Sequence, residues 1–381
     1  MRHVAVIVET SSQYGRNLIA GISRFSRLHG WHLLFEYRGR NTAEPEWLAD
    51  FEGDGVITTH PSPSHSVVLR DRGLPVIHFH EYSRLADTQH PLVDSDHHEV
   101  GRQAADHFLN KGHRHFAFLG HSDHPVSLQR EAGYFERLAE AGHTPISHQT
   151  PERTARSFAS IHGGDEAFLR SLPKPCALFC CWDEVAFRAV QTAIEHQIAV
   201  PEELAVLGVD NDPVFCGSSL VPISSIDPDI PQLGFLLASR LEELIQGQSP
   251  AELPALRVPP KRVVVRQSSA LEAVADPLVR RFLELLRQPK PGTLSIEDIA
   301  IACHVSRRLL EQRVKAATGK TPRQLLSASL VDHIRGFLLQ TDYTLAHIAE
   351  LLGFDHSERL SHLFRRETGV TPGEYRRSGR T

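Results

Sequence analysis

Two stretches near the end of the chain carry side chains suited to reading DNA bases. Residues 306–317 and 357–366 both have the apolar spacing of an amphipathic helix. Arginine can pair with guanine in the major groove, glutamine with adenine, and glutamate with N4 of cytosine. The residues predicted to face outward are Arg307, Arg308, Glu311, Gln312 and Lys315 on the first helix, and Ser357, Glu358, Arg359, His362 and Arg365 on the second. Charges of this kind also solvate ordinary helix faces, so the case for DNA depends on the elements that hold them.

Each stretch is the second half of a repeated unit. A short amphipathic helix is predicted before it, over 296–302 and again over 345–352, and a sharp turn follows. Each unit ends at a glycine, Gly319 or Gly369, two residues before a Thr-Pro pair, which is a strong stop signal for a helix. The repeated order predicts two helix-turn-helix units, the geometry that places a helix in a major groove.

The apolar residues predict how each unit is packed and joined to the other. The predicted core stripe is Leu310, Val314 and Ala317 in the first unit, and Leu360, Leu363 and Phe364 in the second. A connecting helix predicted over 323–339 would span about 25 Å at 1.5 Å per residue. That length can hold the two reading helices about one DNA turn, ~34 Å, apart on one face of the duplex.

The charge of the chain is divided unevenly. The 381 residues have a formal net charge of −5, which is unusual for a DNA-binding protein. Residues 276–381, however, contain 17 Lys and Arg against 12 Asp and Glu, while the rest contains 24 against 34. We therefore expect a basic tail domain that approaches phosphate, behind an acidic body.

The body alternates short apolar runs with helical spacing, which predicts parallel α/β sheets in two lobes. Strands are expected over 3–9, 31–37, 55–58, 75–79, 115–120, 176–181, 205–209 and 261–267, and helices over 18–30, 99–111, 127–141, 183–196 and 231–246. The chain is expected to cross between the lobes near 94–96, 224–229 and 256–265. A cleft between two such lobes is a common place for a small ligand.

Other classes of protein are disfavoured. The five cysteines have neither disulfide nor zinc spacing, and the 24 histidines lack partners that would complete a metal site. No phosphate-binding loop, nucleophile elbow or zinc-hydrolase motif is present. No signal peptide or membrane-spanning run is recognised. We expect a bacterial cytoplasmic protein that is not an enzyme, with no cofactor, no metal and no membrane partner.

Polar side chains at the predicted carboxyl ends of the strands are suited to a sugar. A sugar presents hydroxyls on every edge and an apolar face, so its site needs carboxylates, arginines and an aromatic ring. The candidate ligand residues are Tyr14, Arg16, Arg130, Trp182, Asp183 and Asp210. Asp210 could instead cap a strand, and Tyr14 and Trp182 could simply pack.

The body resembles the sugar-binding cores of LacI-type repressors and periplasmic sugar-binding proteins. The likeness rests on GHRHFAFLG at 112–120, REAGYF at 130–135 and PEELAVLGVDN at 201–211. The N-terminal helix-turn-helix of LacI-type repressors is missing, because the first strand starts at His3. The tail resembles the AraC-type DNA-binding domain. The expected fold is an α/β two-lobed, periplasmic-binding-protein-like sensor domain followed by an all-α AraC-type domain with two helix-turn-helix units.

The domain boundaries follow from this resemblance. The sensor is predicted over 1–268, with lobe 1 formed by 1–95 and 227–257 and lobe 2 by 96–226 and 258–268. A linker is expected over 269–276 and the DNA-binding domain over 277–381.

The resemblance also implies roles for particular residues. Arg130 and Asp210 match positions that hold sugar hydroxyls in similar proteins, and Arg359 and Leu360 stand where aromatics are frequent in the AraC family. The implied base readers are Arg308, Glu311, Gln312, Glu358, Ser361 and His362, and the expected phosphate contacts are Arg307, Lys315, Arg365 and Arg366.

The sequence thus predicts a ligand-responsive transcriptional regulator, with activation expected over repression. Its expected partners are double-stranded DNA in the nucleoid, a sugar effector such as xylose or another pentose, a second copy of the chain and RNA polymerase. Two alternatives stay open: a regulator that responds to another small ligand or to none, and a sugar-acting enzyme. The sequence leaves the effector, the operator and the sign of regulation undetermined.

Overall fold

The computed structural model divides the chain into two compact units, Met1–Glu272 and Ala273–Thr381. It describes residues 1–39, 45–48, 50–58, 69, 71–78, 93–150, 158–249, 252–270, 276–286 and 294–378. The linker predicted over 269–276 falls at the boundary between the units, and its residues 271–275 lie outside the described residues.

One lobe of the first unit is built on a parallel sheet of four strands in the order β2-β1-β3-β4. These strands are β1 (Arg2–Ile7), β2 (Trp31–Leu34), β3 (Gly55–Thr58) and β4 (Val76–His78). In β1, Val4 to Ile7 are buried, as expected for a parallel strand covered on both faces.

Helix α1 (Gln13–His29) starts five residues before the helix that the sequence predicts over 18–30. Ser12 caps the helix by accepting a hydrogen bond from the amide of Gly15, a local signal hidden in a polar stretch. The helix packs on a helix from late in the chain (Ile230–Ile245). A Cβ on Gly21 would lie 2.0 Å from the carbonyl oxygen of Pro231, so the crossing depends on glycine.

The other lobe is built on a sheet of six strands in the order β12-β10-β9-β8-β6-β7, in which only the β10–β12 pair is antiparallel. The strands are β6 (Phe116–His121), β7 (Ile146–Thr150), β8 (Cys176–Cys180), β9 (Leu204–Val209), β10 (Ser224–Asp227) and β12 (Arg262–Val264). The helices along the rest of this unit are α2 (His97–Asn110), α3 (Pro125–Glu140), α4 (Phe158–Ser171), α5 (Asp183–Glu195), α6 (Pro213–Ser218) and α7 (Ile230–Ile245).

The chain passes between the lobes three times, near the places that the sequence indicates. A small parallel pair, β5 (Val93–Ser95) and β11 (Leu256–Val258), marks two of the crossings, and the step from β10 to α7 is the third. Neither strand of this pair was predicted. Strand β7 was also missed, since its residues are exposed or half-buried and largely polar.

In the residues that the structure describes, the second unit is helical, and the short helices over 296–302 and 345–352 lie where the sequence predicts them. The helices are α8 (Pro277–Leu285), α9 (Ile296–Ala302), α10 (Arg307–Thr318), α11 (Pro322–Gln340), α12 (Leu345–Leu352), α13 (Ser357–Thr368) and α14 (Pro372–Ser378). Gly319 and Gly369 end α10 and α13 with φ of 70° and 82°, a left-handed conformation that glycine adopts without strain.

One residue of the predicted core stripe is wrong. Leu310 and Val314 are fully buried, but Ala317 is exposed. The stripe advances by four residues to Thr318, which is half-buried and donates its hydroxyl hydrogen to the carbonyl of Val314 at 2.7 Å. In α13, Leu360 and Phe364 are fully buried and Leu363 is half-buried.

Among the described residues, no helix is both long and apolar enough to cross a lipid bilayer.

Candidate functional site

Arg130 lies at the centre of a polar site at the carboxyl edge of the six-stranded sheet. Its side chain is only 2% exposed, although it extends from α3 towards the ends of β8 and β9. The guanidinium donates to the carbonyl of Cys181 at 2.5 Å and lies 3.5 Å from Oδ1 of Asp210. Its Nε has no hydrogen-bond partner among the described residues. A buried donor without a partner is costly, so this one is suited to an incoming hydroxyl.

Asp210 follows β9 in a strained turn. Its φ is 103° and that of Asn211 is 51°, and residues other than glycine rarely adopt such positive values. The turn is held by neighbouring β10, because the amide of Asp210 donates to the carbonyl of Ile226 and that of Asn211 to Oγ of Ser225. Strain that the surroundings maintain is typical of ligand sites. Burial raises the pKa of Asp210, and the Arg130 guanidinium opposes that shift.

Asp183, another predicted ligand residue, lies beneath this turn. It is 1% exposed, and its Oδ2 accepts a hydrogen bond from the amide of Asp212 at 2.8 Å. A Cβ on Gly208 would lie 2.2 Å from Oδ1 of Asp183, so the absence of a side chain at Gly208 makes room for the Asp183 carboxyl. Burial, and secondarily the charge of Asp210, raise the pKa of Asp183 to about 8. The carboxyl is positioned to support the turn that carries Asp210.

Trp182 immediately precedes α5 and is half-buried among histidines. The ring of His121 stacks on it with centroids 5.0 Å apart, and the ring of His124 meets it edge-on at the same distance. The three rings form an aromatic wall beside Cys181, whose carbonyl Arg130 contacts.

The two candidate residues of the other lobe have different surroundings. Arg16 is exposed, and its guanidinium donates to the carbonyls of Thr10 and Ser11 at 2.9 and 2.7 Å, closing the loop that precedes α1. Tyr14 is half-buried and packs against the apolar core of that lobe. The structure thus joins Arg130, Asp183 and Asp210 in one cluster. Arg16 is instead bonded to the loop before α1, and Tyr14 packs against the core of the other lobe.

His97, which the sequence did not single out, belongs with the cluster. It opens α2, is 2% exposed, and its Nε2 lies 3.5 Å from Oδ1 of Asp94. Burial lowers the pKa of His97 and Asp94 opposes this, while Arg130 and Asp210 act on its charge from nearby. The only sequence signal was its place just after a predicted crossing between the lobes, which does not reveal burial.

The first reading helix, α10, presents all five of its predicted polar side chains to solvent. Arg308, Gln312 and Lys315 are exposed, as a groove-facing surface requires. Arg307, predicted to contact phosphate, instead forms ion pairs with Glu297 and Glu311. Exposed pairs of this kind contribute little to stability, so Arg307 can exchange them for phosphate contacts.

The second reading helix, α13, is also exposed along its predicted face. Glu358, His362, Arg365 and Arg366 are exposed, and Ser361 is half-buried. Arg366 pairs with the neighbouring carboxylate of Glu367. Arg359, which has no role implied by the resemblance, pairs with Asp355 four residues earlier at 2.7 Å.

Two family models match the chain, one to each unit. A periplasmic binding protein-like domain matches residues 105–269, and a helix-turn-helix domain matches residues 299–378.

Relatives of full length share this order. The xylose operon regulatory protein of Escherichia coli (strain K12) is 25% identical over 387 residues, which cover 98% of this chain and 97% of that protein. A solved structure of a xylose-binding transcription activator covers 99% of this chain and 98% of its own, with a TM-score of 0.79 and 23% identity. The lac repressor dimer bound to operator and an anti-inducer matches with a TM-score of 0.55 and 20% identity, over 70% of this chain and 93% of its own.

These matches confirm the fold class and the family resemblance that the sequence predicts. The likeness to the xylose operon regulatory protein extends over both units, since the match covers 98% of this chain.

Proposed function

We propose that this protein is a cytoplasmic, sugar-responsive transcriptional regulator that binds specific DNA sites as a homodimer. The observation that carries the proposal is the buried Arg130, whose Nε has no partner among the described residues, beside the strained turn of Asp210. On the same chain, two helix-turn-helix units present exposed polar faces. The domain matches favour a regulator over an enzyme.

The effector we propose is a pentose, with D-xylose first, since the full-length relatives are named for the xylose operon. Arg130 donates to one sugar hydroxyl and Asp210 accepts from another, and Trp182 offers an apolar ring face. Asp183 supports the Asp210 turn from below, and His97 lies at the edge of the same cluster. A sugar that binds the closed lobes better than the open ones shifts the population towards closure.

On DNA, the two reading helices divide the work between sequence and position. We assign base contacts to Arg308, Glu311, Gln312, Glu358, Ser361 and His362, and phosphate contacts to Arg307, Lys315, Arg365 and Arg366. Helix α11, 19 residues long, spans about 28 Å and separates the two units enough to reach successive major-groove segments. Activation through RNA polymerase at paired sites completes the proposal.

The proposal is tested by a thermal-shift screen of pentoses, hexoses and their phosphates on the full chain. We expect D-xylose to raise the melting temperature, and Arg130→Ala and Asp210→Ala to abolish that rise while DNA binding persists. Arg137→Ala, on the same helix but paired with Asp106 at the surface, is the matched control and should respond like the wild type. A response that survives in both site variants contradicts the assignment, and conversion of any sugar into a product supports an enzyme instead.

A further inference from the structure

The first unit ends in a segment that is tightly held although it directly precedes the boundary with the second unit. This exit segment, Arg266–Ala270, follows β12 and contains a short 3-10 helix (Gln267–Ser269). Ser268 and Ser269 are fully buried. Burial of two serines in the last residues before a domain boundary is unusual, since chain ends of domains are commonly loose.

Arg266 joins the exit segment to the ligand turn. Its guanidinium donates to Oδ1 of Asn211 at 2.7 Å and to the carbonyl of Ile223 at 3.0 Å. Its amide donates to Oγ of Ser224 at 2.8 Å, and that hydroxyl donates to the carbonyl of Arg266 at 2.9 Å. Asn211 is the covalent neighbour of Asp210. Asp210 is therefore connected to the exit segment through one peptide bond, which joins it to Asn211, and one hydrogen bond, from Arg266 to Asn211.

The remaining residues of the exit segment are also hydrogen-bonded to the first unit. The hydroxyl of Ser268 donates to the carbonyl of Val206 at 2.6 Å and accepts from the amide of Ser224 at 2.8 Å. On the opposite side, helix α2 contributes two contacts: His107 Nε2 is hydrogen-bonded to Oγ of Ser269 at 2.8 Å, and Lys111 donates to the carbonyl of Ala270 at 3.0 Å.

The turn itself has little freedom to absorb a displacement. Asn211 is held in the left-handed region, with its amide bonded to Ser225 and its side-chain oxygen bonded to Arg266. A packed and strained element switches between discrete arrangements more readily than it deforms gradually. A ligand that repositions the Asp210 carboxylate therefore changes the anchor of Arg266.

We propose that Arg266 is a positioning residue that couples the Asp210–Asn211 turn to the exit segment, and so transmits effector binding towards the DNA-binding unit. The transmission rests on the proposed function, because that function makes Asp210 an effector contact. The physical link between Asn211 and the exit segment does not depend on it.

The link is tested first without any ligand, by hydrogen exchange on the full-length protein. We expect Asn211→Ala and Arg266→Lys each to raise the exchange rate of the Ser268 and Ala270 amides about tenfold. Because Arg266→Lys disturbs the bond to Asn211 and also the bond to the carbonyl of Ile223, the double variant should match Arg266→Lys alone, and the two effects should not multiply. Arg262→Ala, an exposed arginine on the neighbouring strand β12, is the control and should change nothing. Unchanged exchange in Asn211→Ala, or effects that multiply in the double variant, overturns the link.

The transmission is tested with D-xylose and a duplex selected by the wild-type chain from a random-sequence pool. We expect D-xylose to change wild-type DNA affinity about tenfold, within the usual range of allosteric coupling. Arg266→Lys should bind D-xylose within threefold of the wild type but change DNA affinity less than twofold on sugar addition. Wild-type coupling in this variant overturns the proposal, because a residue that merely supported the fold would leave coupling intact. If the wild type binds none of the sugars, the proposed function fails, and hydrogen exchange still decides the Arg266 link.

Discussion

Replacing Asp183 with asparagine should change how the stability of the first unit depends on pH. The substitution keeps the shape of the side chain and removes its ability to ionise. In the folded protein burial raises the pKa of Asp183 to about 8, against 3.8 for an ordinary aspartate. The wild type must therefore protonate this carboxyl, or bury its charge, at neutral pH.

The sign follows from the direction of the shift. A carboxyl whose pKa is raised by folding binds more protons when folded, so its contribution to stability is complete below pH 3.8 and is lost as pH rises towards 8. Between pH 5 and pH 8 the wild type should lose about 3.5 kcal/mol through this group, at about 1.36 kcal/mol for each pH unit in which it is protonated only when folded. The Asp183→Asn variant loses none of this stability, because its side chain does not ionise.

Urea denaturation followed by tryptophan fluorescence measures this difference. Trp31, Trp47 and Trp182 are the three tryptophans of the chain, and all belong to the first unit. The signal thus reports that unit alone in the full-length protein. We expect the stability of Asp183→Asn relative to the wild type to increase by about 3.5 kcal/mol from pH 5 to pH 8, with unchanged denaturant slopes.

A constant difference across this range would refute the reasoning, because it would mean that folding does not raise the pKa of Asp183. A pKa that folding lowers would instead make the wild type lose stability between pH 5 and pH 3, relative to Asp183→Asn. In that case the charged carboxylate would support the Asp210 turn.

Three further predictions concern packing, acid stability and DNA. Gly101→Ala should destabilise the first unit by about 1–3 kcal/mol in the same denaturation assay, because its Cβ would lie 2.0 Å from the carbonyl oxygen of Arg130. Gly336→Ala, in α11, should by contrast stabilise its helix by up to about 1 kcal/mol, because an added Cβ would meet no atom within 4 Å. Burial lowers the pKa of His113 to about 4, so its contribution is present above pH 6.5 and is lost as pH falls towards 4. Relative to His113→Phe, the wild type should lose about 2 kcal/mol between pH 7 and pH 5, and equal losses in both proteins would contradict this. Arg308→Ala should weaken binding to a selected site by about 1–3 kcal/mol more than binding to random DNA. Arg365→Ala should weaken binding to both DNAs equally and lower the slope of affinity against salt concentration by about 1. Fluorescence anisotropy at several salt concentrations distinguishes the two variants, and the reverse pattern would exchange their roles.

The helices of the two repeated units and the helix between them were predictable almost to the residue, because their signals are local, whereas α8 and α14 were not predicted. Ser306 accepts a hydrogen bond from the amide of Leu309, and Thr321 forms a reciprocal capping pair with Gln324, both within one helical turn. The prediction that Ala317 is buried was wrong, because the packing of α10 against its neighbours decides whether Ala317 or Thr318 is buried.

The cluster proposed as the ligand site was predictable in outline but not in the contacts of its members. Residue types at strand ends identified Arg130, Asp183 and Asp210, since the carboxyl edge of a parallel sheet brings such loops together. Whether a carboxyl faces the cleft or the core depends on neighbours distant in sequence, as the missing side chain of Gly208 beside Asp183 illustrates. The bond between Arg266 and Asn211 joins residues 55 positions apart, and no local pattern indicates it.

The interleaved path of the chain through the two lobes has a consequence for synthesis on the ribosome. Helix α7, which covers α1 through the close contact at Gly21, is made about 150 residues after β4. At roughly 5–20 residues per second this delay is on the order of ten to thirty seconds. During that time the apolar face of α1, including Leu18 and Ile22, has no partner from α7. The lobe that is begun first therefore stays incomplete until five of the six strands of the other lobe have been made, and we expect a chaperone to bind its exposed apolar face during that time.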